Sequence, residues 1–341
     1  MSVLHLLGAS GEGGAETYFV DLVRALHADG GATAAAMRAN NTRRAALQSA
    51  GVPVREFGFG GPLDLLTRGR VADWARRRDA RALVAWMNRA AKHSPEGPWR
   101  RIGRLGGYYD LKNYRGFDAL VGNTAHIRDW VVKQGWPAER AFHIPNFAEA
   151  RPAQPLDRAT LDTPADAPLL LGMGRLHESK AHDVSLEALA DLPEAVLWIA
   201  GQGPEEARLK RLAVDLGVDE RVRWLGWRND PERLYATADV CLFPSRFEPL
   251  GNVVIQCWAY GLPIVAAASQ GPGTLIRDRV DGLLTPIDDA AALADEAQRL
   301  IDSPPLRERL ASAGRERVEA EFSRAAVVAQ WRTLFASLGA A

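Results

Sequence analysis

The feature that most constrains the fold of this chain is a regular alternation of short apolar runs with longer segments of helical periodicity. Apolar runs such as 2–7, 169–173 and 240–243 predict buried strands, and segments such as 15–27 and 290–301 predict helices. Strands that alternate with helices along a chain form parallel sheets covered by helices on both faces. The sequence therefore predicts an α/β protein built from doubly wound sheets.

The length of the chain indicates two domains, because 341 residues are about twice the usual domain size. A proline-rich stretch without periodicity, residues 151–167, predicts a linker between the domains. We therefore expect an N-terminal domain over 1–150 and a C-terminal domain over 168–322, each with its own sheet.

Charge and cysteine content narrow the functional classes. Lys and Arg together number 42, against 42 Asp and Glu, and a chain without excess positive charge is not expected to bind nucleic acid. Cys241 and Cys257 lie in apolar runs, which favours buried thiols in a reducing compartment. No apolar run reaches about 18 residues, and no secretory signal pattern opens the chain. We therefore expect a cytoplasmic protein.

One segment, residues 68–104, is strongly basic although the chain as a whole is balanced. Two interpretations are open. The segment is either the solvated face of a helix or a surface for an anionic acceptor or lipid headgroups. Trp74, Trp86 and Trp99 favour the second interpretation, because tryptophan is common at interfaces with one wet side. That interpretation predicts peripheral contact with the anionic inner face of the plasma membrane.

The stretch with the densest polar chemistry is 240–267, where a strand, a polar loop, a helix and another strand follow one another. The loop carries Arg246, Glu248 and Asn252, and the helix begins directly after it. Ligands of parallel α/β sheets bind at the carboxyl ends of strands, and anions bind at helix N-termini. Both conditions meet at 248–252, so we predict the active site there.

Other strand ends carry groups that suit phosphate and sugar. The glycine loop 8–14 follows the first strand and is either a backbone surface for a phosphate or sugar, or an ordinary flexible turn. Arg175 and Lys180 follow the first strand of the second half, and two such cations suit a diphosphate. The turns at 201–204 and 225–227 also follow strands of that half, and their backbone groups can hold a base.

Taken in order, several short motifs resemble the retaining glycosyltransferases of GT-B architecture, in particular glycosyltransferase family 4, the glycosyl transferases group 1. The motifs are Gly13-Gly14-Ala15-Glu16, His143-Ile144-Pro145-Asn146, Gly174-Arg175-Leu176 with Lys180, Ala200-Gly201-Gln202-Gly203-Pro204, Phe243-Pro244-Ser245 and Pro263-Ile264-Val265. The resemblance covers nearly the whole chain. It implies two Rossmann-like doubly wound domains with an interdomain cleft, and a final helix at 323–341 that crosses back to the N-terminal domain.

The resemblance also implies an activity. A sugar would be transferred, with retention of the anomeric configuration, from a UDP- or GDP-linked donor to a glycan or lipid-linked acceptor, in lipopolysaccharide or other cell-envelope glycan synthesis. Arg175 and Lys180 would neutralise the leaving diphosphate and Glu248 would contact the transferred sugar, so these three are the implied catalytic residues. No metal or other cofactor is expected, because fixed cations and a helix dipole can stabilise the departing nucleotide.

Two positions depart from the family pattern. Gln256 stands where the family has a second Glu on the ribose, and Gly106 stands where members often have a His that contacts the sugar. These departures motivate one alternative function, a non-catalytic sugar-nucleotide or glycan-binding relative. A GT-B sugar-nucleotide epimerase is a further alternative. The implied donor-binding set is Gly13, Gly14, Gly174, Arg175, Lys180, Gly201, Gly203, Leu225, Glu248, Leu250, Gly251, Asn252, Val253 and Gln256. The expected acceptor-side residues are Asn88, Arg89, Arg104 and Gly106.

Overall fold

The computed structural model describes residues 2–11, 13–60, 64 and 66–340. Met1, Ala341 and Glu12 of the predicted glycine loop lie outside the described residues. The chain divides into two compact units, of which the first joins Met1–Asn146 to Arg324–Ala341 and the second spans Phe147–Ser323. The first unit is therefore made from both ends of the chain.

The segment predicted as a linker, 151–167, packs on the second unit. Arg158 Nη2 donates to both carboxylate oxygens of Asp239, at 3.1 and 3.0 Å. The Thr163 hydroxyl accepts a hydrogen bond of 2.9 Å from the indole nitrogen of Trp198. Most of the segment is thus part of the second unit's fold, held by polar side chains whose partners lie far away in the sequence.

The first unit contains a parallel sheet with helices attached to it. Its described strands are β1 (Ser2–Leu7), β2 (Ala32–Met37), β3 (Val54–Glu56), β4 (Ala82–Trp86), β5 (Arg100–Leu105), β6 (Ala119–Gly122) and β7 (Ala141–His143). Its described helices before the second unit are α1 (Gly14–Ala28), α2 (Asn41–Gln48), α3 (Leu66–Arg77), α4 (Met87–His93) and α5 (Ala125–Lys133). The strands pair in the order β3-β2-β1-β4-β5-β6-β7. The strand order reverses between β1 and β4, and the carboxyl ends of those two strands flank the switch point.

Burial in the first unit corrects one expectation from the sequence. Trp74, Trp86 and Trp99 are only 9%, 0% and 6% exposed, because they fill the core rather than a wet interface. The burial of Trp74 follows from the amphipathic pattern of α3, whose buried face also includes Val71, and Trp86 ends the buried strand β4. The basic residues of α3 lie on its other face, where Arg76 pairs with Asp73 at 2.9 Å.

The second unit contains another parallel sheet. Its described strands are β8 (Leu169–Met173), β9 (Val196–Ala200), β10 (Val222–Gly226), β11 (Val240–Phe243), β12 (Ile264–Ala267) and β13 (Leu283–Thr285). Its described helices are α6 (His182–Ala190), α7 (Glu206–Asp215), α8 (Pro231–Thr237), α9 (Asn252–Tyr260), α10 (Gln270–Leu275), α11 (Ala290–Asp302) and α12 (Pro304–Arg317). The strands pair in the order β10-β9-β8-β11-β12-β13. The order reverses between β8 and β11, so the switch point lies between them.

Side-chain alternation along the strands builds a core on each face of this sheet. Leu170 of β8 packs in a cluster with residues of α6, α7 and α11. Its neighbours Leu169 and Leu171 pack in a second cluster with residues of α8 and α9. A strand buried on both faces is expected to be continuously apolar, which explains why β8 was recognisable from its sequence.

The helix α12 is followed by a π-helical turn over Val318–Phe322. Arg317 closes α12, and its Nη1 contacts Asp281 Oδ2 at 3.0 Å. Val318 and Phe322 are buried in the core of the second unit. The wider turn is a local irregularity that hydrophobic periodicity does not reveal.

The final helix, α13 (Arg324–Ser337), belongs to the first unit and contacts α1. Trp331 and Phe335 lie on its buried face, and Arg332 forms an ion pair of 2.6 Å with Asp29 directly after α1. Arg100 Nε donates to the carbonyl of Leu338 at 2.8 Å. Among the described residues, no helix is long and apolar enough to cross a bilayer.

Candidate active site in the second unit

The predicted active-site residues gather at the switch point of the second unit. The loop after β8 carries Gly174, Arg175 and Lys180, and the loop after β11 carries Glu248. The two strands are hydrogen-bonded neighbours, so the loops start side by side at the carboxyl edge of the sheet. This edge at the switch point is where α/β sheets bind their ligands.

The glycines after β8 and β9 are required by the close approach of two backbone loops. Gly174 N donates to Ala200 O at 3.0 Å, and Gly201 N donates to Gly226 O at 2.8 Å. A Cβ on Gly201 would lie 1.8 Å from Gly174 O, and one on Gly203 would lie 2.1 Å from Leu176 O. These glycines therefore let three strand-end loops hydrogen-bond to one another, which fixes the backbone around Arg175.

Lys180 and Glu248, predicted in separate roles, form an ion pair. Lys180 Nζ bonds to Glu248 Oε2, and the exposed fractions of the two side chains are 23% and 14%. Lys180 Nζ also lies 5.5 Å from the centroid of the Phe243 ring, over its face. The site thus holds an ammonium group that is already oriented by a carboxylate and an aromatic ring.

The loop that carries Glu248 is fastened to the neighbouring loop and to α6. Phe247 N donates to Ser179 O at 3.2 Å, and the Arg246 guanidinium bonds to both oxygens of Asp183 at 3.0 and 3.1 Å. Burial acts to raise the pKa of Asp183, but hydrogen bonds and charges from Arg246 and Arg208 together lower it below its usual value. The loop is therefore held by an ion pair that persists at neutral pH.

The N-terminus of α9 supplies further donors to the same site. Gly251 precedes the helix with φ 89°, a conformation that glycine adopts without strain. Its N–H donates to Glu248 Oε1 at 3.2 Å, so both oxygens of Glu248 are held. The N–H groups of Asn252 and Val253 open the helix, before Val254 N makes the bond to Gly251 O. Helix N-termini of this kind favour anions.

Gln256 lies further along α9, and its side-chain oxygen already has a partner. The Tyr235 hydroxyl donates to Gln256 Oε1 at 2.8 Å, and the Tyr235 ring stacks on Tyr260 with 5.3 Å between centroids. A glutamine at the ribose position is expected to accept from a ribose hydroxyl through its amide oxygen. In the structure that oxygen accepts one bond from Tyr235, so its second lone pair can still accept from a ribose hydroxyl and the amide NH₂ can donate.

Arg175, Leu225 and Leu250 of the predicted donor-binding set differ in their exposure to solvent. Arg175 is exposed on the loop after β8, and within the described part of the chain it makes no ion pair or hydrogen bond through its side chain. Leu225 lies in β10 and is half-buried. Leu250 is 5% exposed and packs beside Gly271, where a Cβ would lie 2.5 Å from the Leu250 backbone.

One residue at the site was not singled out from the sequence. His182 opens α6 and is 3% exposed. Its Nδ1 lies 3.4 Å from where a Cβ on Gly172 would be. Burial lowers the pKa of His182 to about 4, so the ring is neutral at neutral pH. Nothing in the sequence around it distinguishes it from an exposed histidine.

The residues predicted for the first unit gather at that unit's own strand ends. Gly13 and Gly14 lie at the start of α1, and the buried Arg43 donates to the carbonyls of Ala9 and Gly11 in the glycine loop, at 3.1 and 2.8 Å. The Arg89 side chain covers Gly8, where a Cβ would lie 2.8 Å from Arg89 Cγ. Gly8 follows β1 and Arg89 lies in α4, which follows β4, so both lie at the switch point of the first sheet.

Arg104 and Gly106 are also placed together in the first unit. Arg104 is 2% exposed, and a Cβ on Gly106 would lie 2.8 Å from Arg104 Nη1. Asn88 follows β4, the strand paired with β5. In the described ranges, no group of three or more His, Cys, Asp and Glu side chains is arranged to hold a metal ion.

Comparisons with known proteins identify the family of the chain. The model of the family "Glycosyl transferases group 1" matches residues 153–317. The lipopolysaccharide core biosynthesis glycosyltransferase LpsE of Rhizobium meliloti (strain 1021) is 39% identical over 331 residues, which are 96% of this chain and 96% of LpsE. The chain belongs to the glycosyl transferases group 1 family. LpsD of the same strain, another lipopolysaccharide core biosynthesis glycosyltransferase, is 35% identical and covers 98% of both chains.

Solved structures show that this group 1 glycosyltransferase has the GT-B fold that the sequence predicted. HepE from Anabaena in complex with UDP superposes with a TM-score of 0.87 at 21% identity, covering 99% of this chain and 100% of HepE. The complex of HepE with UDP-glucose gives a TM-score of 0.86 at 22% identity, over 99% of this chain and all of HepE. At this identity the likeness concerns the fold alone. Two parallel, doubly wound sheets are the shared architecture.

Proposed function

We propose that this glycosyltransferase moves a hexose-type sugar from a UDP-linked donor to an acceptor in the lipopolysaccharide core, with retention of the anomeric configuration. LpsE and LpsD are named for lipopolysaccharide core biosynthesis, which supports the acceptor class. HepE has been solved with UDP and with UDP-glucose, which supports uracil as the donor base. The lipid-linked nature of the acceptor and a peripheral contact with anionic membrane stay predictions.

The observation that carries the proposal is the oriented charge at the switch point of the second unit. Lys180 is held by Glu248, Arg175 extends from the same loop as Lys180, and the first N–H groups of α9 lie beside Glu248. Two cations and a helix N-terminus suit a diphosphate, and they stabilise the negative charge that develops on it as it leaves. This fixed positive charge supports a reaction without a metal ion.

The chemistry is a single exchange at the anomeric carbon. The bond from that carbon to the diphosphate oxygen breaks, and a bond to the acceptor hydroxyl oxygen forms on the same face. The acceptor proton passes to the departing UDP, so atoms and charge balance. Glu248 is held through both oxygens, which makes it an oriented acceptor for a hydroxyl of the transferred sugar.

The assay is release of UDP from a panel of UDP-hexoses, measured with and without truncated lipopolysaccharide core and in the presence of EDTA. We expect acceptor-dependent release that EDTA does not reduce. Lys180→Met and Arg175→Gln should each lower kcat/KM by about a hundredfold, the usual effect of removing one charge-stabilising group. Arg211→Gln is the matched control, because Arg211 is an exposed arginine of α7 in the same unit. Full activity in Lys180→Met would overturn the diphosphate assignment, and GDP-sugars as the better donors would overturn the choice of base.

A further inference from the structure

The first unit buries a positive charge that no acidic side chain of the described residues balances. Arg104 lies in β5 and is 2% exposed. Among those residues its guanidinium makes one hydrogen bond, from Nη2 to Asn146 Oδ1. The guanidinium also lies over the faces of Tyr18 and Trp86, whose ring centroids are 5.3 and 4.6 Å from Arg104 Cζ.

The electrostatics around Arg104 confirm that the charge is unbalanced. Burial lowers its pKa, and the groups that oppose this shift are the hydroxyls of Tyr18, Tyr109 and Tyr114 rather than a carboxylate. A guanidinium has five N–H donors, so most of its hydrogen-bonding capacity is unused here. Buried charges are normally paired, and departures from such rules concentrate at functional sites.

The unused side of the guanidinium faces the strand end at Gly106. A Cβ on Gly106 would lie 2.8 Å from Arg104 Nη1 and 3.8 Å from Asn123 Nδ2. A side chain at this position would displace the guanidinium, so glycine lets Arg104 Nη1 pack against the backbone at the strand end. Gly106 itself is partly exposed, so this end of the guanidinium lies near the surface of the unit.

Adjacent strand ends contribute more unsatisfied polar atoms to the same edge of the sheet. Asn123 directly follows β6, is 4% exposed, and its N–H donates to Leu105 O at 3.1 Å. Asn88 follows β4. The side-chain oxygens of Asn88 and Asn123 are buried without a hydrogen-bond partner in the described part of the chain. Buried polar atoms are nearly always paired, and these two oxygens are acceptors, which suit the hydroxyl groups of a saccharide.

We propose that Arg104 and Asn123 bind an anionic group, a carboxylate or a phosphate, carried by the sugar substrate of the first unit. The proposal rests on the proposed function, in which a saccharide acceptor is one of the two substrates. It assigns Arg104 the selection of an acidic saccharide over a neutral one. Gly106 lets the guanidinium reach the strand end without a side chain in its way, and Asn123 adds a neutral donor.

The test compares three probes by ligand-observed NMR titration: D-glucose 6-phosphate, D-glucuronate and methyl α-D-glucoside. We expect the wild-type chain to bind one of the acidic probes at least about tenfold more tightly than the neutral probe, since hydrogen bonds to charged groups carry such a difference. A preference for the phosphate or for the carboxylate identifies the group. Equal binding of all three probes, or binding of none, would overturn the proposal.

Substitutions test whether the preference for an acidic probe depends on the Arg104 guanidinium. Arg104→Gln should lose the preference, whereas Arg81→Gln, at an exposed arginine of the same unit, should keep it. Asn123→Asp covers the case in which Arg104→Gln fails to fold, because it places a carboxylate beside the guanidinium. That variant should raise the melting temperature and lower the acidic probe's affinity by about tenfold, as the new carboxylate competes for the guanidinium. Retained preference in Asn123→Asp or in Arg104→Gln would refute the assignment.

Failure of this inference is distinguishable from failure of the proposed transferase activity. UDP release from UDP-sugars is measured on the same samples and depends on the second unit. A chain that prefers an acidic probe but releases no UDP with any donor would refute the transferase proposal alone. A chain that releases UDP but treats the three probes alike would refute the anion site alone.

Discussion

The substitution Gly201→Ala tests whether the glycines of the second unit are needed for backbone packing. The new Cβ would lie 1.8 Å from Gly174 O, whereas an ordinary carbon–oxygen contact is about 3.3 Å. The loops after β8 and β9 must therefore separate by about 1.5 Å, estimated from that contact distance. Such a shift breaks the bonds from Gly174 N to Ala200 O and from Gly201 N to Gly226 O, at about 1 kcal/mol each.

The backbone angle at Gly201 adds to this cost. Its φ is 154°, a conformation that costs an alanine about 1–3 kcal/mol. Together with the two hydrogen bonds the loss comes to about 3–5 kcal/mol, which corresponds to roughly 10 °C in melting temperature for a unit of this size. Because Gly174 precedes Arg175, the same shift should weaken UDP binding.

The assay is differential scanning calorimetry of the full chain with and without UDP, and Gly217→Ala is the control. Gly217 has φ 67° and nothing within 4 Å of the position that an alanine methyl would take, so its substitution carries backbone strain of about 1–2 kcal/mol without a steric clash. We expect Gly201→Ala to lower the melting temperature of the second unit at least twice as much as Gly217→Ala. Equal losses in the two variants would refute the packing argument and favour a ligand-contact role for Gly201.

Two further predictions concern the same unit. His182 has a folded-state pKa of about 4 against about 6.5 when unfolded, so the unfolded chain binds the extra proton between these values. Stability should therefore fall by about 3 kcal/mol as pH decreases from 6.5 to 4. Urea titrations at pH 7 and 4.5 should show a smaller difference in His182→Gln, and an equal difference would contradict the assignment. Gln256→Glu should tighten UDP binding about tenfold by calorimetry, because a charged acceptor strengthens the ribose bond, while Tyr235→Phe, which frees Gln256 Oε1, should change the affinity by less. An unchanged affinity in Gln256→Glu would place Gln256 away from the ribose.

The fold was predictable because its determinants are local. The strand Ser2–Leu7 was recognisable from its apolar run. The end of the helix Asn252–Tyr260 is marked by Gly261, which has φ 66°. The parallel arrangement followed from the order of these elements. The final helix was expected to return to the N-terminal domain only through the family resemblance, since no local signal in Arg324–Ser337 specifies its partner.

The site was predictable as a set of residues but not as a set of contacts. Lys180 and Glu248 were each identified, yet their ion pair joins two loops whose distance depends on the pairing of β8 with β11. The burial of Arg104 could not be read from the basic segment around it, because the sequence does not distinguish it from an exposed arginine such as Arg100, although β5 is buried from Arg101 to Leu105. Likewise, Trp74, Trp86 and Trp99 are buried in the unit, although basic residues surround them in the sequence.

The membership of α13 in the first unit has a consequence for biosynthesis. The sheet of this unit leaves the ribosome before the second unit, but the helix that packs on α1 is made after the second unit. The second unit is contiguous in sequence and can finish folding before its predecessor does. A nascent chain that stops at Ser323 would therefore display a first unit without Trp331 and Phe335 in its core, and such a product is a substrate for chaperones and proteases.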